Sequence, residues 1–330
     1  MLGIFKVSLL TVVLLLLNPE VSSSLSSTPS TSLKYLCSGS DIRGSFTLKA
    51  PGLTPGTAYR LGRALVETVK SSSSPASSSS SPPASSASSP PLTIMIGRDP
   101  RPHGLILEKS FARGASSSGA VVTSTGLATT PSMFHAVRTG AATAAVMITA
   151  SHLPPDKNGL KIFLKPVGGA AEPLNKEGRD ALLDLAASYP EPELPEALMG
   201  GRADAGNDLE EVDFMKTYVK SLLEVVKAKI GDLRGLRLLV NPGSGSGGVL
   251  CEVLSACGAD VSASINVAPD GAFPVGVPNP ESKSMAFRTL AACAETGDVD
   301  LGIMLDTDAD RVGFVAKREG GGYETVNRNR

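Results

Sequence analysis

The chain has 330 residues, enough for two domains of ordinary size, each with its own core. Lys and Arg total 31 against 32 Asp and Glu, so a net charge of −1 removes the electrostatic case for a general nucleic-acid binder. Apolar residues reach 42%, aromatics only 4%, and tryptophan is absent, which points to a soluble globular α/β protein rather than an aromatic-rich β-sandwich or a disordered chain.

In chain order, the N-terminus comes first. Residues 1–6 carry one lysine, and Val7 to Leu17 is an apolar run. That run is too short to span a bilayer, which takes about 20 apolar residues. With small residues at Ser22–Ser24, residues 1–24 read as a signal peptide, and 25–32 as a Ser/Thr-rich targeting or linker segment. Entry into the secretory pathway is expected, with no stable membrane insertion once the signal is removed. The acid-poor stretch after it also fits a bipartite plastid address. Cys37, Cys251, Cys257 and Cys293 are widely spaced without a C-x-x-C. The last three sit in apolar, helix-like sequence and read as small core residues.

A helix is predicted from Thr54, with Pro55 in its first turn and an apolar stripe of Ala58, Leu61, Leu65 and Val69. Residues 71–91 follow, with 13 Ser, 5 Pro and 3 Ala. Nothing there can pack, so a disordered loop inserted in the first domain is expected. Strands and helices then alternate: strand Leu92–Ile96, helix Leu105–Ser117, strand Ala120–Ser124, helix Pro131–Arg138, then strands Ala144–Thr149 and Leu160–Leu164. The strands are continuous apolar runs, the mark of strands buried on both faces. A Pro/Gly-rich stretch, Pro190 to Gly206, looks like a boundary. Beyond it come helix Leu209–Ile230, strand Leu236–Val240, helix Val249–Cys257, strand Val261–Val267, helix Ser284–Glu295 and strand Leu301–Leu305. The expected fold is two consecutive α/β/α domains with mixed, mostly parallel sheets, at 33–205 and 206–330.

Two segments carry chemistry. In the first, Met147–Lys161, Ser151 ends a buried strand, where ligands bind in open α/β sheets. His152 stands beside it, and Lys161 lies beyond Asn158-Gly159, a pair able to turn the chain back towards the serine. In the second, Asp306, Asp308 and Asp310 alternate just after an apolar strand. Alternate residues of an extended segment point the same way, and carboxylates gathered on one side are costly unless a cation joins them. Oxygen-only ligands suit Mg²⁺. An EF-hand would need Gly and Glu where this loop has Arg311 and Lys317. A phosphatase of the haloacid-dehalogenase type would use its aspartate motif near the start of the fold.

Together the two segments resemble the α-D-phosphohexomutases, whose members carry T-A-S-H-x-P, then N-G-x-K, then a D-G-D-x-D-R metal loop. Ser40-Asp-Ile-Arg43-Gly44, Ile96-Gly-Arg98-Asp99 and Asp270-Gly-Ala-Phe273-Pro274 resemble further family stretches in family order. The resemblance implies Mg²⁺ as cofactor and hexose phosphate and bisphosphate as partners, with a phosphoryl group moved between C1 and C6. It implies a phosphoserine at Ser151, which with Asp306, Asp308 and Asp310 would hold the Mg²⁺. Lys161 would be the acid/base, with His152 and Arg43 also in the catalytic set. Arg43, Arg311 and Arg98 would contact phosphate.

Thr307, Leu153 and Ser40 depart from the usual Gly, Asn and Tyr, a pattern resembling a divergent plant- or alga-type branch. The family has four domains, and the sugar-reading G-E-x-S-G-H loop of the third has no counterpart: the histidines are His103, His135 and His152. An N-terminal two-domain portion, inactive alone, is therefore expected. Two other readings stay open. Gly243-Ser-Gly245-Ser-Gly247-Gly248 fits a dinucleotide fingerprint with Asp270 as the ribose acid. A sugar-phosphate-binding pseudoenzyme would keep the fold without turnover.

Overall fold

The computed structural model describes residues 32–73, 91–166, 169–202 and 209–326. The signal peptide, nearly all of the Ser/Thr-rich segment and residues 74–90 of the Ser/Pro insertion lie outside the described residues.

The chain opens with β1 (Cys37–Ser38), β2 (Asp41–Ser45), α1 (Pro55–Ser73), β3 (Thr93–Arg98), α2 (Gly104–Ser117), β4 (Val121–Leu127), α3 (Thr130–Thr139), β5 (Ala144–Ile148), β6 (Lys157–Leu164), β7 (Glu172–Pro173), α4 (Lys176–Ser188) and α5 (Glu196–Met199). It continues through β8 (Glu210–Glu211), α6 (Phe214–Lys229), β9 (Leu238–Asn241), α7 (Val249–Ala256), α8 (Lys283–Thr296), β10 (Leu301–Leu305), β11 (Val312–Lys317) and β12 (Tyr323–Thr325).

Two mixed sheets result. The first runs β1-β2-β6-β5-β3-β4-β8, with β7 beside β6, and its central β5, β3, β4 are mutually parallel. The second runs β12-β11-β10-β9, with β9 and β10 parallel. Both faces of the first sheet are buried, as the unbroken apolar runs require. Ile94 and Ile96 of β3 face a core with Leu61 and Leu65 of α1 and Phe111 of α2. Met95, between them, faces Met133 of α3 and Phe214 and Tyr218 of α6. Cys257 and Cys293 are buried and Cys251 half-buried, and all four cysteines are free thiols.

The structure corrects three local expectations. Val261–Val267 forms no strand. The Ser264 hydroxyl takes the Val240 N–H at 3.0 Å, where a ladder carbonyl would sit, and Asn266 turns left-handed at φ 52°. The helix expected from Leu209 starts at Phe214, capped by Asp213, whose side chain accepts from Lys216 N at 3.2 Å. Glu210–Glu211 instead pair with Thr123 and Ser124 of β4, so the first sheet recruits residues from beyond 206. Asn158-Gly159 is no turn. Both belong to β6, paired with β2, and the reversal is made by residues 149–156. Gly159 is required there: a Cβ would lie 2.3 Å from Ile42 O and 2.8 Å from Thr149 O.

Candidate active site

β5 and β10 both end at the same region, and each delivers one of the two chemical segments. After β5, Ser151 sits 2% exposed with φ 53°, a conformation that a serine holds only when its surroundings impose it. The surroundings do so in three steps. The Ser151 N–H donates to Thr149 Oγ1 at 2.8 Å, and the Thr149 hydroxyl donates to Asp99 at 2.8 Å. Asp99 in turn pairs with Arg101 at 3.0 Å, both side chains fully buried. Arg101 spends its remaining donors on the carbonyls of Ser151 (2.5 Å), Leu153 (2.8 Å), Pro154 (2.5 Å) and Lys157 (3.0 Å). Phe273 caps the guanidinium, with its ring centroid 5.2 Å away. Sequence reading missed Arg101. The only signal was its position two residues after Asp99, within the stretch already singled out.

The loop after β10 folds around Asp306, which is fully buried. Its Oδ1 accepts the backbone N–H groups of Asp310 (3.1 Å) and Arg311 (3.0 Å). Its Oδ2 accepts the Ser151 hydroxyl at 2.7 Å and Arg311 Nε at 3.0 Å. Arg311 Nη2 also reaches Ser151 Oγ at 3.1 Å, and His152 Nδ1 lies 3.4 Å from the same oxygen. Lys161 stands on β6 opposite Met147 of β5, so the antiparallel pairing, not a turn, brings it to the site. Its Nζ donates to Asp308 Oδ2 at 2.7 Å and pairs with Asp310.

One oxygen from each of Asp306, Asp308 and Asp310 can gather within 4.8 Å. Asp308 Oδ1 is buried and meets no donor. Three oxygen ligands, one of them otherwise unpaired, fit a Mg²⁺ ion. Thr307 needs no left-handed backbone, because Ala309, at φ 58°, takes that turn, but the Thr307 hydroxyl is buried without a hydrogen-bond partner. Ser151, His152, Lys161, Arg43, Asp310 and Arg311 line one cavity of about 430 Å³. Arg43 enters it from β2, paired with Asp41 at 2.6 Å.

Arg98 does not join them. Its Nε pairs with the buried Glu108 at 3.0 Å, a carboxylate that also accepts from Ser124, so Arg98 ties β3 to α2. The glycine-rich loop is also committed elsewhere. A Cβ on Gly245 would lie 2.7 Å from Thr307 O, and one on Gly247 2.6 Å from a Leu305 methyl. The loop is packed against the aspartate loop, and the Ser246 N–H, one of the backbone donors such a fingerprint would turn to phosphate, goes to the Thr307 carbonyl at 2.8 Å.

Burial, with Asp308 and Asp310 close by, pushes the Asp306 carboxyl up to about 7. Burial opposes the charge on Asp308, but the Lys161 ammonium and the Thr130 hydroxyl outweigh it and hold this carboxyl below the usual range. Burial likewise opposes charge on Lys161, yet Asp308 and Asp310 keep its ammonium proton bound more tightly than usual. Burial, then Arg311 and Arg43, lower His152, leaving a neutral ring. A metal ligand must be ionised, so if Asp306 is one, a proton on it would compete with Mg²⁺. With a carboxyl near 7, Mg²⁺ affinity is expected to weaken by about tenfold per pH unit below that value and to level off above it. Calorimetric titration at stepped pH measures this, and a flat profile would count against Asp306 as a ligand.

Residues 36–179 match the phosphoglucomutase/phosphomannomutase alpha/beta/alpha domain I, and residues 216–321 match domain II of the same family. The chain belongs to the α-D-phosphohexomutase family. Among its relatives, a phosphoglucomutase of Neisseria gonorrhoeae is 30% identical over 278 residues, covering 84% of this chain and 52% of the relative. A phosphoglucosamine mutase of Frankia alni is 35% identical over 219 residues, covering 66% and 44%. A phosphomannomutase/phosphoglucomutase of Pseudomonas aeruginosa is 29% identical over 276 residues, covering 83% and 50%. The chain thus spans about half the length of the curated phosphohexomutases it matches. A solved phosphoglucomutase/phosphomannomutase family protein from Burkholderia thailandensis shares the fold, with a TM-score of 0.59 at 22% identity, covering 84% of this chain and 54% of that one.

Proposed function

We propose that this phosphohexomutase-family chain carries a phosphoryl group on Ser151 and exchanges it with a hexose phosphate. The observation that carries the reading is the position of Ser151 Oγ, 2.7 Å from Asp306 Oδ2 and 3.1 Å from Arg311 Nη2, between residues of both matched domains. A serine oxygen held there meets both an acidic triad able to hold a cation and a guanidinium, the two joined by the bond from Arg311 Nη2 to Asp306 Oδ2 at 3.0 Å. Phosphoryl transfer asks for that combination, positioning and charge neutralisation, more than for covalent work by the protein.

Arg311 would contact the phosphoryl oxygens, with Arg43 across the same cavity. His152, neutral, would hydrogen-bond the group on its neighbour. Transfer breaks the Oγ–P bond of Ser151 and forms a P–O bond to a sugar hydroxyl. The Lys161 ammonium would give a proton to Ser151 Oγ as the Oγ–P bond breaks and take up the hydroxyl proton in its place. Asp306, Asp308 and Asp310, together with the Ser151 phosphate, would hold Mg²⁺, which supplies charge neutralisation at the transferring oxygens. Three relatives bear three different sugar names, so the reading stops at hexose phosphates as a class.

Intact-mass measurement after incubation with the 1,6-bisphosphates of glucose, mannose and glucosamine tests the proposal. A single added phosphate, mapped by fragmentation to Ser151, is the expected result. No uptake from any of the three sugars would overturn it.

A further inference from the structure

The amino end of α3 touches the aspartate loop, and one of its contacts has no role in building the helix. The cap of α3 is complete without Thr130: the Thr129 side chain accepts from Ser132 N at 3.2 Å, and the Ser132 hydroxyl takes the Thr129 N–H at 3.2 Å. The Thr130 backbone N–H donates to the Asp308 carbonyl at 2.9 Å, which any residue could do. The Thr130 hydroxyl, on a residue only 7% exposed, donates to Asp308 Oδ2 at 2.6 Å. That is a short bond from a neutral donor to a carboxylate, made between residues 178 positions apart.

The independent observation lies on the other oxygen. Asp308 is fully buried, its Oδ2 accepts from both Thr130 and Lys161, and its Oδ1 accepts from nothing. A carboxylate can rotate about its terminal torsion almost freely, so two oxygens in one pocket are interchangeable unless something distinguishes them. Lys161 is a long, rotatable point donor already shared with Asp310. The Thr130 hydroxyl is short, anchored to a helix backbone, and unshared.

We propose that Thr130 is a positioning residue for the metal site. Its hydroxyl holds Asp308 Oδ2 on the protein side and so leaves Oδ1 as the oxygen a cation would take. The proposal rests on the reading of Asp306, Asp308 and Asp310 as Mg²⁺ ligands and adds the group that aims one of them. Groups that orient a metal ligand typically contribute about 10–100-fold to metal affinity. Thr130→Val keeps shape and β-branching and removes the hydroxyl. Thr130→Ser keeps the hydroxyl and removes a methyl.

The test is Mg²⁺ titration by calorimetry on the full 330-residue chain, with thermal unfolding in chelator as a control for folding. Thr130→Val is expected to weaken Mg²⁺ binding by about tenfold with an unchanged unfolding midpoint, and Thr130→Ser to restore most of the affinity. Thr130→Ala replaces the valine variant if that one does not fold. Asp308→Asn is the reference for the site itself and should abolish measurable binding. Unchanged affinity in Thr130→Val, with binding lost in Asp308→Asn, overturns the role of Thr130 and leaves the metal reading standing. Equal losses in Thr130→Ala and Thr130→Ser would make the effect one of packing and would also overturn it. Unaltered binding in Asp308→Asn, or none in the parent chain, removes the metal reading and this inference with it.

Discussion

Ser151→Ala is expected to abolish phosphate uptake and to lower hexose-phosphate exchange by several orders of magnitude, with the fold intact. The substitution deletes one oxygen, the atom on which Asp306, Arg311 and His152 converge. Losing a nucleophile removes the covalent route itself rather than a share of its efficiency. The stability cost should be small, within about 1 kcal/mol, because Asp306 keeps its two backbone donors and Arg311. Alanine also tolerates the left-handed backbone about as well as serine does. Mass spectrometry reads the first half, and single-turnover transfer of phosphate between the protein and a hexose phosphate reads the second. Retained exchange with no phosphate at position 151 would remove the serine from the mechanism.

Arg101→Met should have the largest effect on stability, a loss of about 3–5 kcal/mol, seen as a lower urea midpoint. Arg101 is 1% exposed, and its partner Asp99 is fully buried. Removing one member of a buried pair strands the other charge, which costs more than the pair contributes. Methionine would also leave four carbonyls of the Ser151 loop without their donor. Arg101→Lys should recover little, since one ammonium cannot reproduce a planar fork with donors on both edges. A cost under about 1 kcal/mol would show that the loop holds its shape without the guanidinium.

Much of this site is legible in the residues, because its chemistry is local. Asp306, Asp308 and Asp310 declare themselves by alternation after an apolar strand, and Ser151 by its place at a strand end. Lys161 lies in the same cavity as Ser151 but reaches it by another route than the sequence suggests. Asn158-Gly159 suggests a turn, whereas the glycine is there to let β6 lie between β2 and β5. Arg98 ends β3 and Arg101 lies three residues on in the loop that follows, and tertiary packing sends them to different partners. Glu108 takes Arg98 to α2, while Asp99 and the Ser151 loop take Arg101. Val261–Val267 carries a strand-like pattern, but a single serine hydroxyl substitutes for the ladder acceptor, which composition cannot foresee. The Thr130–Asp308 bond spans the two matched domains, so no sequence window contains it.

The central claim is that Ser151 passes its phosphoryl group to a sugar at a site shared by both domains. A single-turnover experiment tests it most directly. The chain phosphorylated on Ser151 is mixed with excess hexose 6-phosphate, and phosphate is followed on protein and sugar together. The expected result is loss of the Ser151 phosphate matched by hexose 1,6-bisphosphate, dependent on Mg²⁺ and absent in Asp308→Asn. Phosphate that stays on Ser151, or that leaves only as inorganic phosphate at a rate indifferent to the sugar, would contradict it.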